Sequence, residues 1–188
     1  MAYKIYIDQG HNPRNPNAGA EGNGYREQDI VYTIGQELAS LLRTDPNFEV
    51  RLSRPGADTQ VGTSNSTSLR LRVEDAVSWG ADYFISLHTN ASSNASATGS
   101  EALIFSRASA SLGLAEDILE YLQRSTGLRN RGVLLRPGLY VLKRTPMPAV
   151  LVELGFITNP GDASLMVNSP ELFAEGVYNG ILAYFGLL

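Results

Sequence analysis

The chain has 188 residues, of which 43% are hydrophobic and 18% charged, with a formal net charge of -4. That length suits one hydrophobic core and the composition is globular rather than disordered; the acidic balance leaves no excess of cations to neutralise a phosphate backbone, which argues against nucleic acid as a partner. With no cysteine, disulfides, thiol nucleophiles and thiolate metal sites are all excluded, so any metal must sit on histidine and carboxylate.

Met1 to Asp8 lacks a basic region followed by a long apolar stretch, and no run approaches the length of a bilayer span, so neither an export signal nor membrane insertion is expected. Lys4 to Asp8 has a short apolar strand pattern that runs into a loop rich in Gly, Asn and Pro, from Gln9 to Gly24. From Tyr25, apolar Ile30, Ile34, Leu38, Leu41 and Leu42 recur at helical spacing behind acidic Glu27 and Asp29. Phe48 to Leu52 reads as a second strand, followed by a Gly/Ser/Thr-rich loop to Ser68 and a helix over about Leu69 to Trp79. Tyr83 to Leu87 is nearly continuous in apolar character, as expected of a strand covered on both faces, and it ends on His88. A Ser/Ala/Asn-rich loop leads to Gly99. Then come a strand over Ala102 to Phe105, a helix through Leu112 to Leu122, and two strands, Leu139 to Leu142 and Ala149 to Val152, the second ending on Glu153. After Asn159-Pro160 a short helix and a longer one, Pro170 to Tyr184, close the chain. Strands alternating with helices predict a single α/β domain over residues 1–188, with a mostly parallel mixed sheet flanked by helices on both faces.

The chain has only two histidines, His11 and His88, and each lies just past the carboxyl end of a predicted strand. Glu153 occupies the same kind of position on a third. In open parallel sheets ligands bind outside the carboxyl ends of the strands, so these side chains are expected to face one crevice. A catalytic zinc takes three protein ligands from His, Asp or Glu and leaves a fourth position to water. A carboxylate must therefore join the histidines, and Glu27, Glu21, Asp8 and Glu153 all qualify by position.

Four blocks in order, Ile7-Asp8-Gln9-Gly10-His11, Gly22 to Glu27, Phe84 to Asn90 and Val152 to Pro160, resemble the amidase-3 family of zinc N-acetylmuramoyl-L-alanine amidases over nearly the whole chain. The resemblance implies that His11, Glu27 and His88 hold Zn2+ and that Glu153 is the catalytic acid/base. It implies hydrolysis of the amide between N-acetylmuramic acid and the first L-alanine of the peptidoglycan stem peptide, at the bacterial cell wall, with Glu153 carrying the proton from water to the leaving nitrogen. Some relatives resembling the family carry an inserted helix that plugs the zinc crevice; here Ser106 to Arg136 holds one predicted helix, which leaves little chain for a plug. The sequence departs from the family pattern at Gln9, often Pro, at Asn12-Pro13, often Gly-Gly, and at Val77, usually Asn.

Other readings compete. Glu27 alone reads as a first-turn carboxylate favourable to the helix dipole, and Gly10, Gly19, Gly22 and Gly24 read as turn formers. Asn90, Arg72 and Arg131 are candidates for binding the stem peptide or supporting the metal shell, although a solvated arginine is the ordinary outcome. Besides an amidase, the same parts suit a zinc peptidase acting on the stem, and the fold alone suits a wall-binding module that has lost catalysis. Oligomeric state is open.

Overall fold

In the computed structural model, which describes residues 2–188, a six-stranded mixed sheet runs through the centre. The elements in chain order are β1 (Tyr3–Gln9), β2 (Glu21–Gly22), β3 (Tyr25–Arg26), α1 (Glu27–Thr44), β4 (Phe48–Leu52), α2 (Asn65–Trp79), β5 (Tyr83–Asn90), β6 (Ser100–Ile104), α3 (Ser111–Thr126), β7 (Asn130–Leu135), α4 (Tyr140–Arg144), β8 (Ala149–Phe156), α5 (Pro160–Asn168) and α6 (Pro170–Tyr184). The strand order is β4-β1-β5-β8-β6-β7, with β2 and β3 forming a separate small hairpin. β4, β1, β5 and β8 run parallel; β6 pairs antiparallel with β8 and parallel with β7.

Alternation along each strand sorts the core into two layers. Ile5, Ile7, Ile85, Leu87, Val150 and Val152 face α1, α3 and α6, whereas Tyr6, Phe84, Leu103 and Leu151 face α2 and α4. Burial on both faces explains why the central strands read as continuous apolar runs rather than alternating ones. Local chemistry fixes the helix ends. Ser64 and Thr67 form a reciprocal capping box that starts α2, Gly80 ends it in the left-handed region at φ 73°, and the Asn159 side chain accepts from the amides of Gly161 and Asp162 ahead of Pro160 in α5.

Two expectations are corrected. Leu139 to Leu142 is not a strand: Leu139 is the cap residue of the short helix α4, and the strand in this region is β7, Asn130–Leu135. Leu-Tyr-Val-Leu is a four-residue apolar run, too short for periodicity to separate helix from strand. β7 is a sheet edge, and its half-exposed Asn-Arg-Gly start carries no alternation signal. α2 also begins earlier than its apolar residues suggest, at Asn65, because its first turn is set by the capping box.

Candidate metal centre and active site

Three segments bring the site together. β1 ends at Gln9 and the chain turns through His11, whose backbone lies in the left-handed region at φ 67°. Glu27 opens α1, where the exposed amides of the first turn favour an anion. His88 lies near the end of β5, directly beside Glu153 of β8 in the parallel register. By alternation Asp8, Ser86, His88, Glu153 and Glu101 continue the face that carries Tyr6, Phe84, Leu151 and Leu103.

The Glu27 carboxylate is the hub. Oε1 lies 3.0 Å from His88 Nδ1 and accepts from the Thr89 amide at 3.0 Å; Oε2 lies 3.2 Å from His11 Nε2 and accepts from the Ala20 amide at 2.9 Å. The imidazoles cross at 77° with ring centroids 4.9 Å apart. One ligand atom from each of His11, Glu27 and His88 lies within 4.8 Å of the others. Two imidazoles and a carboxylate at such separations are the donor set of a catalytic zinc centre, and the residues fit that ion. Of the other carboxylates open to choice, Asp8 is bound to Arg72 and Ser86, and the Glu21 side chain is 72% exposed beside Arg26.

Space for these three side chains is kept by two glycines. A Cβ on Gly10 would stand 2.5 Å from His88 Cε1, and one on Gly19 would stand 2.8 Å from Glu27 Oε2 and 2.9 Å from His11 Cδ2. Neither has a positive φ, so these glycines clear room rather than form turns; Gly24, at φ 81°, is a turn former as expected.

The electrostatics divide the two glutamates. Burial pushes the Glu27 carboxyl up, but hydrogen bonds to His11 and His88 and their charge outweigh it and hold the group well below the usual carboxylate range. Burial is also the largest influence on Glu153, and, although His88 pulls the other way, burial together with the charges of Glu27 and Glu101 raises its carboxyl to about 7. Glu153 Oε2 is buried with no hydrogen-bond partner among the described residues.

The three candidate substrate residues separate. Arg72 is 1% exposed and its guanidinium is committed to Asp8, Ser53, Ser68, Asn12 and the carbonyls of Gln9 and His11, so its donors are spent within the protein rather than offered to a substrate. This corrects the substrate-binding alternative for that residue. Asn90 and Arg131 lie at the rim, joined by Glu101, which accepts from Asn90 Nδ2 at 2.8 Å and from Arg131 Nε at 2.9 Å. Arg131 lies over the Phe156 ring. Beside the histidines a cavity of about 120 Å³ is walled partly by Leu69, Leu139, Tyr140 and Leu151, so α4, missed in sequence, borders the site. The predicted helix between Ser106 and Arg136 is α3, whose apolar residues Leu114, Ile118 and Leu122 are buried in the core.

Comparison with known proteins shows the family. A family model described as N-acetylmuramoyl-L-alanine amidase matches residues 5–183. The chain is 35% identical over 187 residues to the N-acetylmuramoyl-L-alanine amidase LytC of Bacillus subtilis, covering 96% of this chain and 35% of that protein. It is 35% identical over 189 residues to the amidase CwlM of Bacillus licheniformis, covering 98% of this chain and 69% of that one. The chain thus spans about a third of the first relative and about two thirds of the second. The crystal structure of an N-acetylmuramoyl-L-alanine amidase from Clostridium difficile 630 superposes with a TM-score of 0.87 at 30% identity, covering 98% of this chain and 97% of the other.

Proposed function

The chain belongs to the amidase-3 family of N-acetylmuramoyl-L-alanine amidases, and from that premise we propose that it hydrolyses the amide between N-acetylmuramic acid and L-alanine of the peptidoglycan stem, with His11, Glu27 and His88 holding zinc and Glu153 as catalytic acid/base. The observation that carries this reading is the convergence of both histidines of the chain on one buried carboxylate, beside a second carboxylate with the opposite pKa shift. Groups whose environments push their pKa values apart have different tasks: Glu27 stays anionic to hold a cation, and Glu153 is poised to gain and lose a proton near neutral pH.

When bound, zinc would supply a water acidified to near neutrality and polarisation of the scissile carbonyl. The chain's own groups do the rest. Glu153 takes the proton of the attacking water on its unpartnered oxygen and returns it to the alanine nitrogen as the C–N bond breaks. Asn90 and Arg131, tied to Glu101 at the rim, hold the stem peptide by hydrogen bonds and charge. The setting proposed is the bacterial cell wall, in lysis or remodelling, with peptidoglycan as partner. No helix among the described residues is long and apolar enough to cross a membrane.

Digestion of purified peptidoglycan tests the reaction. New L-alanine amino groups on the released stems, without new sugar reducing ends, are expected, because glycan cleavage generally uses paired carboxylates flanking the glycosidic bond. New amino termini elsewhere in the stem would make the chain a zinc peptidase instead, and binding without any cleavage would make it a wall-binding module.

A further inference from the structure

A histidine at φ 67° is uncommon, and the surrounding structure must enforce it. The enforcement comes from behind the site. Arg72 reaches from α2, fully buried, and forks: Nη1 donates to the carbonyl of Gln9 at 2.6 Å and Nη2 to the carbonyl of His11. One planar group thus grips the chain on both sides of Gly10. Asp8 fixes the guanidinium at 2.6 Å and is itself fixed by the Ser86 hydroxyl at 2.7 Å.

The residue after His11 completes the hold. Asn12 is entirely buried; its Oδ1 accepts from Arg72 Nη2 at 3.2 Å and from the Val61 amide at 3.0 Å, while its Nδ2 donates to the carbonyls of Pro16 at 2.8 Å and Val61 at 3.0 Å. The amide side chain therefore ties the loop after β1 to the loop between β4 and α2, using both N–H donors and both acceptor lone pairs.

We propose that Arg72 and Asn12 are positioning residues for metal binding: they hold His11 in its left-handed conformation in the metal-free protein, so that zinc meets a formed ligand set. Neither touches the ligand side chains; both act on the backbone that aims His11. The inference rests on the reading of His11, Glu27 and His88 as the zinc ligands. Groups that orient metal ligands typically matter 10–100-fold in affinity. Lysine cannot replace Arg72, because a single ammonium lacks the planar fork that reaches two carbonyls at once.

The test is zinc affinity of the full chain, measured by competition with a chromogenic chelator at a temperature where circular dichroism shows every variant folded. His11→Ala should abolish tight binding; zinc bound as in the wild type by this variant would overturn the ligand reading and the proposal with it. With that control met, Asn12→Ala and Arg72→Lys should each weaken zinc binding about 10–100-fold. A purely structural role would lower the melting temperature of the metal-free protein and leave the affinity of the folded protein unchanged. That outcome in Asn12→Ala, with His11→Ala still deficient, would overturn the proposal while the ligand reading stands. Because Arg72→Lys leaves Asp8 poorly compensated and can fail to fold, Asn12→Ala decides.

Discussion

The two ends of the sheet are held together by different physics. At the end where β1, β4 and β5 begin, Tyr3, Phe48 and Tyr83 gather around Phe185 beyond α6: Tyr3 stacks on Phe185 with ring centroids 4.2 Å apart, and Tyr83 meets it edge-on at 5.2 Å. At the opposite end the same strands deliver Asp8 and Ser53 to Arg72, Ser86 to Asp8, and His88 to Glu27. Aromatic contacts are tolerant of small shifts, since dispersion and burial depend weakly on direction. The polar end is not, because removing one partner leaves another buried group unmatched, at a cost of about 1–3 kcal/mol for a neutral group and more for a charge. A parallel arrangement makes its two ends chemically inequivalent, and here one end is apolar and tolerant while the other is polar and exacting.

Substitutions at the two ends should therefore separate activity from stability, and the largest effect is expected at Glu153. Glu153→Gln keeps shape but cannot accept or return a proton, so kcat should fall on the order of a thousandfold. Zinc content, measured by atomic absorption, should remain at the wild-type level. Zinc lost together with turnover would make Glu153 a ligand.

The same substitution sharpens the comparison through pH. The Glu153 carboxyl is raised in the folded protein from its ordinary 4.5 to about 7. The unfolded chain therefore releases this proton at lower pH than the folded one, and the stabilisation from the protonated group, complete below about 4.5, is lost as pH rises to about 7. In zinc-free protein, Glu153→Gln should be more stable than wild type above neutrality by about 1–3 kcal/mol. Urea unfolding midpoints for the two should converge below the ordinary glutamate range. Adding zinc should close the gap, since a nearby cation favours the carboxylate.

At the aromatic end, Phe185→Ala should lower unfolding stability by about 1–3 kcal/mol, less than a fully enclosed phenylalanine because this ring is only part-buried. Its kcat at 25 °C should match the wild type. A loss of activity in the folded variant would break the proposed division between the ends. The smallest effect is expected at the rim: Glu101→Gln removes the charge that holds Arg131 while keeping an acceptor for Asn90. KM for soluble muramoyl peptides should rise about tenfold, roughly 1.4 kcal/mol, with zinc affinity unchanged.

Much of the site's geometry was legible because it follows from strand direction. A histidine or glutamate closing an apolar run lies toward the crevice of a parallel sheet, and His11, His88 and Glu153 all carry that signal, although β5 and β8 continue past His88 and Glu153. Choosing Glu27 among the acids needed the family resemblance, since in the first turn of a helix the same residue is favoured by the dipole alone. Edge and rim features left no such mark. β7 starts with Asn-Arg-Gly, α4 is one turn long, and Glu101 sits at the start of its strand rather than the end. The buried tasks of Gln9 and Asn12 could not be read from spacing. Both stand where the family often has Pro and Gly, and both are fully buried: Gln9 Oε1 accepts from the Arg54 amide, and Asn12 Oδ1 from the Val61 amide. An amide side chain in a loop is ordinarily read as solvated, and only the fold shows which backbone groups it meets.

The reversed direction of β6 has a further consequence for how the chain can be extended. Because β6 pairs antiparallel with β8, the connection from β5 need not cross the molecule through a helix; residues 91–99 pass over β8 at the crevice rim and return. Ser93, Asn94, Ala95 and Ser96 there are exposed or half-exposed, and of the hydrogen bonds at residues 93–96 only the Asn159 side chain to the Ala95 carbonyl reaches beyond this connection. A graft at Asn94, such as a carbohydrate-binding peptide, would emerge beside the candidate metal centre without lengthening a core element, which makes this loop a natural port for adding a binding specificity.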